Sequence, residues 1–350
     1  MRRMAEIAVV LAVAALGVGW GAQRAAFAAE PAAQTAIAKP APEPADVVMG
    51  EYEGTCSPTK GSPLKAEADI VAEGVAKGKT NPSYRAVLIT AGDSAVKIEL
   101  TGELAGEELS LRSKDGKWSG SLAKGNLVAE AKGDDGGKFD LKRIERHSPT
   151  EGQRPPEGAV VLLPFEEGKP ANLDAWTNKN WKILPDGSIQ AQKGNNLTVR
   201  EFGDMKLHVE FMIPYMPDAR GQGRGNSGVY SQNRYEVQIL DSFGLPPKDN
   251  ECGGIYEVAA PKANACLPPL RWQTYDITFR THRFDANGNV AAPATLTVVH
   301  NGILIHDKQA VTDATRAAGA KGAVKVGPLM LQDHGNPVRY RNIWLVELKD

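Results

Sequence analysis

Three cysteines, six histidines and a 6% share of aromatic residues are thin provision for a chain of 350, and each shortage removes a class of protein. With so few cysteines this is not a small fold built on disulfides. None of Cys56, Cys252 and Cys266 has a histidine at ligand spacing, so no zinc site is expected. An excess of either charge is missing as well. Lys and Arg total 41 against 42 Asp and Glu, a formal net charge of −1, which leaves no cationic field to neutralise phosphates and argues against a nucleic-acid partner. What is abundant is Gly and Pro, 36 and 23, set among short runs of Val, Ile, Thr and Tyr. That composition implies many turns, few helices and a β-rich architecture.

The one long apolar run lies at the start. Met1-Arg2-Arg3 supplies positive charge, Ile7 to Trp20 is apolar and broken only by Gly, and Ala26-Phe27-Ala28 offers an A-x-A cleavage site, the pattern of a secretory signal peptide over residues 1–28. As a helix this run would reach about 21 Å, short of the roughly 30 Å hydrocarbon core, so no stable membrane span is expected after its removal. No Cys follows it to carry a lipid. The expectation is a periplasmic or secreted protein of net charge −3 once Arg2, Arg3, Arg24 and Glu6 are lost. Residues 29–47, rich in Ala and Pro, read as a linker. In an oxidising compartment Cys252 and Cys266, set in a stretch with Gly253-Gly254, Pro261 and Pro268-Pro269, are expected to form a disulfide that stabilises by about 3 kcal/mol. Cys56 would be left over.

Two all-β domains follow. From residue 48 to 147, seven or eight short alternating segments separated by turns such as Lys114-Asp115-Gly116 predict a small antiparallel barrel or sandwich. It carries no cluster of chemistry-bearing residues and reads as an accessory domain. Residues 148–156 form a Pro-rich joint. The second domain, 158–350, has longer strands: Lys206 to Ile213, Arg234 to Leu240, Thr274 to Phe279, a hairpin turning at Asn301-Gly302, and Arg339 to Leu348. With no helical periodicity beyond a short piece near 313–318, a two-sheet sandwich is predicted.

Polar residues concentrate in two places within it, Asn226 to Asp241 and Gly327 to Asn336. On a strand alternate residues share a face, so Glu236 and Gln238 should project together, as should Gln332 and His334. If both faces line one hollow, a carboxylate, an imidazole and two amides converge in a groove suited to a sugar. His208, His300 and His306 lack partners at metal spacing and read as structural. Gly221-Gln222-Gly223-Arg224-Gly225 has no strand–turn–helix context and reads as a rim loop, not a phosphate cradle. Asp285 to Asn289 echoes a calcium loop, but Leu296 stands where the closing Glu is needed, so a hairpin turn is expected.

Asn226-Ser227-Gly228-Val229-Tyr230, Tyr235 to Asp241, Gly254-Ile255-Tyr256 with Ala260-Pro261, Trp272 to Asp276, Asn301-Gly302, and Gly327 to Trp344 together resemble the 3-keto-disaccharide hydrolase family over about residues 159–348. The resemblance does not reach the first domain. It implies a concanavalin-like jelly-roll sandwich, and an activity on glycosides whose glucose unit has already been oxidised at C3 by a separate oxidoreductase.

Such a substrate needs less of the protein than an ordinary glycoside does. A plain glucanase requires two carboxyls flanking the bond, yet the strand reads Glu236-Val237-Gln238, and Asp241 would serve only if a bulge turned it inward. A 3-ketone acidifies the C2 proton, so one base and one polarising group suffice. An imidazole titrates at about 6.5, which makes His334 and Glu236 the expected catalytic pair. Asn226, Lys262 or Arg339 would stabilise the enolate, and Gln238, Asp241, Tyr256 and Gln332 complete the expected substrate contacts. No cofactor is predicted, with a divalent cation left open. Two other readings stand beside this one: a noncatalytic carbohydrate-binding protein, which would need only aromatic platforms and amides, and a hydrolase of unoxidised glucans, which Gln238 disfavours.

Overall fold

Alternation of apolar and polar residues, interrupted by consecutive buried residues at Ile70–Ala72 and Ala86–Leu88, runs through the strands of the first domain. The computed structural model describes residues 48–79, 81–92 and 95–349; the expected signal peptide and Ala/Pro linker lie outside them. Eight strands, β1 (Gly50–Pro58), β2 (Leu64–Val75), β3 (Pro82–Thr90), β4 (Lys97–Ala105), β5 (Glu108–Arg112), β6 (Ser119–Ala123), β7 (Asn126–Ala131) and β8 (Gly137–Ile144), pair in order, and β8 returns to β1. Of the two forms expected, the barrel is the one adopted. Closure leaves no sheet edge to protect, and Tyr52, Leu88, Leu100, Phe139 and Leu141 fill the interior.

The second domain stacks two antiparallel sheets. Its strands are β9 (Val160–Leu163), β10 (Lys182–Ile183), β11 (Ile189–Gln190), β12 (Asn196–Phe202), β13 (Met205–Met212), β14 (Ser227–Ser231), β15 (Tyr235–Ile239), β16 (Trp272–Arg280), β17 (Arg283–Phe284), β18 (Val290–Ala292), β19 (Ala294–His300), β20 (Ile303–Val311), β21 (Gly327–Leu331) and β22 (Arg339–Glu347). The large sheet runs β10-β11-β22-β13-β16-β19-β20, with β9 also on β22; the small one runs β12-β21-β14-β15. Tyr235 stacks on Phe279 at 5.7 Å and Ser227 Oγ meets the Tyr340 hydroxyl at 2.6 Å, so these side chains mark the face of the small sheet that looks into the core. The Asn301-Gly302 turn forms as expected, both residues at positive φ, between His300 and Ile303. Residues 285–289 also turn as expected, with Asp285 Oδ1 accepting from the Asn287 and Asn289 N–H. The helical piece expected near 313–318 is absent; that stretch is turns, and among the described residues the one helix is a 3₁₀ turn at Gly221–Gly223. No helix is long and apolar enough to cross a membrane among the described residues.

The Pro-rich joint is bolted to the outer face of the large sheet. Ser148 Oγ meets Thr274 Oγ1 at 2.5 Å, and Thr150 Oγ1 donates to Asp276 (2.8 Å). Beyond them the Gly152 N–H donates to Glu210 (2.6 Å) and Arg341 pairs with both Glu151 and Glu210 (3.0 and 2.6 Å). His208 completes the network, with Nδ1 2.7 Å from Asp276 and its ring stacked on Trp344. Burial alone would lower the His208 pKa, but the hydrogen bonds and charges of Asp276 and Glu210 overcome it and raise the group to about 9. A group raised on folding stabilises fully below its unfolded value of about 6.5, and the stabilisation is lost as pH rises through the folded value. The stability gap between the wild type and His208→Gln should therefore be widest below pH 6.5 and shrink by on the order of 2–3 kcal/mol by pH 9. Denaturant melts of both chains across that range would check it, and a gap that stays constant would contradict the assignment.

Candidate active site

The face of the small sheet turned away from the core carries the polar groups. In the β14–β15 hairpin Gly228 lies opposite Gln238 and Tyr230 opposite Glu236, so these side chains share one face, while Val229 and Val237 share the other. β21 brings Met330 beside Tyr230, and just past its end the Gln332 N–H donates to Gly228 O (3.0 Å). On the far side of β15 a strap of loop pairs with the strand: Gly253 and Gln238 N–H groups donate to Gln238 O and Gly254 O, and Tyr256 N–H to Glu236 O. Glu236 is thereby flanked by Tyr230 across the hairpin and by Tyr256 along the strap.

Gly228 makes room for the carboxyl. A methyl group there would overlap Glu236 Oε1 and come within 2.9 Å of the Tyr230 ring. Into this gap Glu236 is packed with 1% of its surface exposed. Burial pushes its pKa up to about 8, against a hydrogen bond from Tyr230 that works the other way. At neutral pH Glu236 is a protonated carboxylic acid, able to donate. Tyr230 accepts from Gln332 Nε2 (2.9 Å) and keeps its own proton, since burial and the neighbouring carboxyl both raise its pKa.

Amides continue the cluster. Gln222 Oε1 accepts from Asn226 Nδ2 and from Gln238 Nε2, both at 3.0 Å, and Gln222 Nε2 donates to Asn250 O (2.8 Å). Among the described residues five buried side-chain oxygens lack a hydrogen-bond partner, and three of them, Asn226 Oδ1, Glu236 Oε2 and Gln332 Oε1, lie in this cluster. These three belong to residues grouped around Gly228. Unmet buried polar atoms are costly, and a bound water or a ligand carrying hydroxyl groups would satisfy them.

The expected residues divide between this cluster and elsewhere. Glu236, Gln238, Gln332, Asn226 and Tyr256 come together. His334 does not share a strand face with Gln332, because β21 ends at Leu331. It stands exposed on a loop whose ends are pinned at Gly228 O by Gln332 and at Asn226 N–H by Asn336 Oδ1 (2.7 Å), which places it on the rim. Arg339 is on the other sheet. The alternation that sends Tyr340 into the core sends Arg339 outward, where it binds Asp186 and Ser188 and lies 5.7 Å over Trp272. Lys262 is exposed beside β20, its N–H donating to Ile305 O, and its charge bears on His306. Asp241 lies past the end of β15 in a buried ion pair with Arg224 (2.6 Å), so it supplies no second carboxyl to the cluster.

The expected disulfide is replaced by two thiols. Cys252 and Cys266 are buried free cysteines in mutual contact, and Cys252 Sγ lies 3.3 Å from the Tyr275 hydroxyl. Their loop is closed by hydrogen bonds instead, from Cys252 N–H to Ser242 Oγ and from Asn264 Nδ2 to the Ser242 and Leu245 carbonyls. Cys56 is likewise a buried free thiol, in the barrel. Among the described residues no group of three or more His, Cys, Asp or Glu is placed to hold a metal ion.

Two members of the cluster were not expected from the sequence. Tyr230 stands in the Asn226–Tyr230 motif, and a register assumption for the hairpin would have set it opposite Glu236. Gln222 sits in the glycine run read as a rim loop; it is in that loop, and nothing local signalled its contact with Gln238.

Residues 158–346 match a family model described as the 3-keto-alpha-glucoside-1,2-lyase-like domain. Among solved structures, the chain is similar to two proteins of Parabacteroides distasonis ATCC 8503, both described as candidate glycosyl hydrolases. One is 34% identical, with a TM-score of 0.49 and a match covering 55% of this chain and 85% of the other. The second is 18% identical, with a TM-score of 0.38, covering 52% and 92%. No curated protein matches the chain.

Proposed function

The chain belongs to the 3-keto-alpha-glucoside-1,2-lyase-like family, and from that premise we propose that it cleaves glycosides whose glucose unit carries a ketone at C3. A glycosidase-type role follows from the family itself; the oxidised substrate is our reading. The observation that carries it is the one carboxyl of the cluster, Glu236, buried and protonated at neutral pH beside the Asn226 and Gln332 side-chain oxygens, which lack donors among the described residues. Hydrolysis of an unoxidised glycoside calls for a pair of carboxyls about 5–9.5 Å apart. Here Gln238 occupies one position and Arg224 engages Asp241, which favours chemistry that runs with one acid.

A 3-ketone permits this. A base removes the C2 proton, and the electron pair passes into the C2–C3 enolate. As the enolate reforms the ketone, a C1–C2 double bond forms and the C1–O bond breaks. The departing oxygen takes the proton of Glu236, and water can add to the product afterwards. Asn226, Gln332 and Gln238 bind sugar hydroxyls. The free atom of Asn226 is an acceptor, which suits a hydroxyl better than an enolate. His334, exposed on the rim, is the proposed base. We place the protein outside the cytoplasm on its N-terminal segment, and N-terminal sequencing of the exported chain should begin near Ala29.

Purified protein incubated with 3-keto-trehalose or a 3-keto aryl glucoside should release the C1 substituent. Binding without release would mean a lectin. Turnover should fall as pH rises through about 8, where Glu236 loses the proton it must donate, and a rate still climbing at pH 9 would remove Glu236 as the acid. His334→Ala should lower kcat by about 10²-fold or more; near-normal turnover would take His334 out of the mechanism.

A further inference from the structure

The loop that supplies Gln222 and Asn226 is held from the barrel. Arg224, between them, is 6% exposed and reaches in two directions: Nε donates to Asp241 Oδ2 (2.6 Å), and Nη1 donates to the carbonyl of Ala72 on β2 of the barrel (3.0 Å). Its own carbonyl accepts from the Asp241 N–H (3.0 Å), which stitches the loop to the end of the strand carrying Glu236 and Gln238. A second tie runs alongside, from the Val75 N–H of β2 to Asp218 Oδ1 (2.8 Å). The next residue has no slack: Gly225 sits at φ +66°, and a side chain there would strike Ile213. Displacement of β2 is therefore transmitted through Arg224 to the two amides on either side of it.

We propose that Arg224 is a positioning residue through which the barrel sets the amide wall of the active site, so that the first domain is a working part of the enzyme and not an appended module. This rests on the reading of Glu236, Gln238, Asn226 and Gln222 as the site. Arg224 itself touches no substrate. Its buried guanidinium links a backbone carbonyl of one domain to a carboxylate of the other, and misplacement of a binding wall by about 1 Å can cost as much as a hundredfold in rate.

The test uses the full chain. Arg224→Met should lower kcat/KM for a 3-keto glucoside by about tenfold to a hundredfold, mainly through KM, because the amides bind and Glu236 is left in place. Arg224→Lys should recover part of the loss. Amide hydrogen exchange, which needs no substrate, should quicken over residues 221–228 while β13 and β16 keep their protection. If Arg224→Met fails to fold, the double variant Arg224→Met/Asp241→Leu removes both charges together and should show the same local exchange. Unchanged exchange at 221–228, or exchange raised throughout the sandwich, would overturn the proposal. A local exchange response in a chain whose wild type turns over no 3-keto glucoside would uphold the barrel's hold on the loop and defeat the proposed activity instead.

Discussion

Replacing Glu236 by Gln should slow cleavage of a 3-keto disaccharide by about 10²–10⁴-fold, the range of general acid catalysis, and slow a 3-keto nitrophenyl glucoside far less. A sugar alkoxide is a poor leaving group and must be protonated as it departs, whereas nitrophenolate leaves without help. The substitution is nearly isosteric, and it replaces a group that is already neutral at pH 7, because burial holds the Glu236 proton up to about pH 8. Stability should then change by no more than about 0.5 kcal/mol, the scale of a benign substitution. Both results come from one preparation: initial rates on the two substrates and a thermal melt. Equal losses on both substrates would move Glu236 from the leaving oxygen to the ketone, and no loss on either would remove it from the chemistry.

Gly228→Ala should be nearly as damaging without touching a titratable group. The added methyl overlaps the Glu236 carboxyl and crowds the Tyr230 ring to 2.9 Å, so the acid must leave its slot or the β14–β15 hairpin must open. Overpacking of this kind costs about 1–3 kcal/mol, and the displaced acid should cost on the order of a hundredfold in kcat. Gly223→Ala is the control, since a side chain there meets open space. It should match the wild type in rate and melting temperature. A Gly228→Ala enzyme of full activity would show that the carboxyl does not work from the position it holds here.

Several features of the site were legible in the chain. Alternation placed Glu236 and Gln238 on one face and Val237 on the other, and the pairing of Ser227 to Ser231 with Tyr235 to Ile239 agrees with it. Asn301-Gly302 announced a tight hairpin, which formed. Alternation failed where a strand stopped. His334 was assigned to the face of Gln332 on the assumption that β21 continued, and the strand ends three residues before it. Arg339 failed differently: its own strand was correctly read, but that strand belongs to the opposite sheet. The cysteines lie close, as their spacing suggested, yet the loop closes through Ser242 and Asn264.

By itself, the sequence determined the all-β class, the two-part organisation and the face on which each strand residue lies, because a period of two is a property of neighbouring residues and needs no knowledge of the rest of the chain. Only the tertiary structure decided that Tyr230 meets Gln332, 102 positions away, that Arg224 reaches into the barrel, and that Glu236 keeps its proton. Register between distant strands and the removal of water from a carboxyl are sums over everything packed around a residue, and no local pattern contains them.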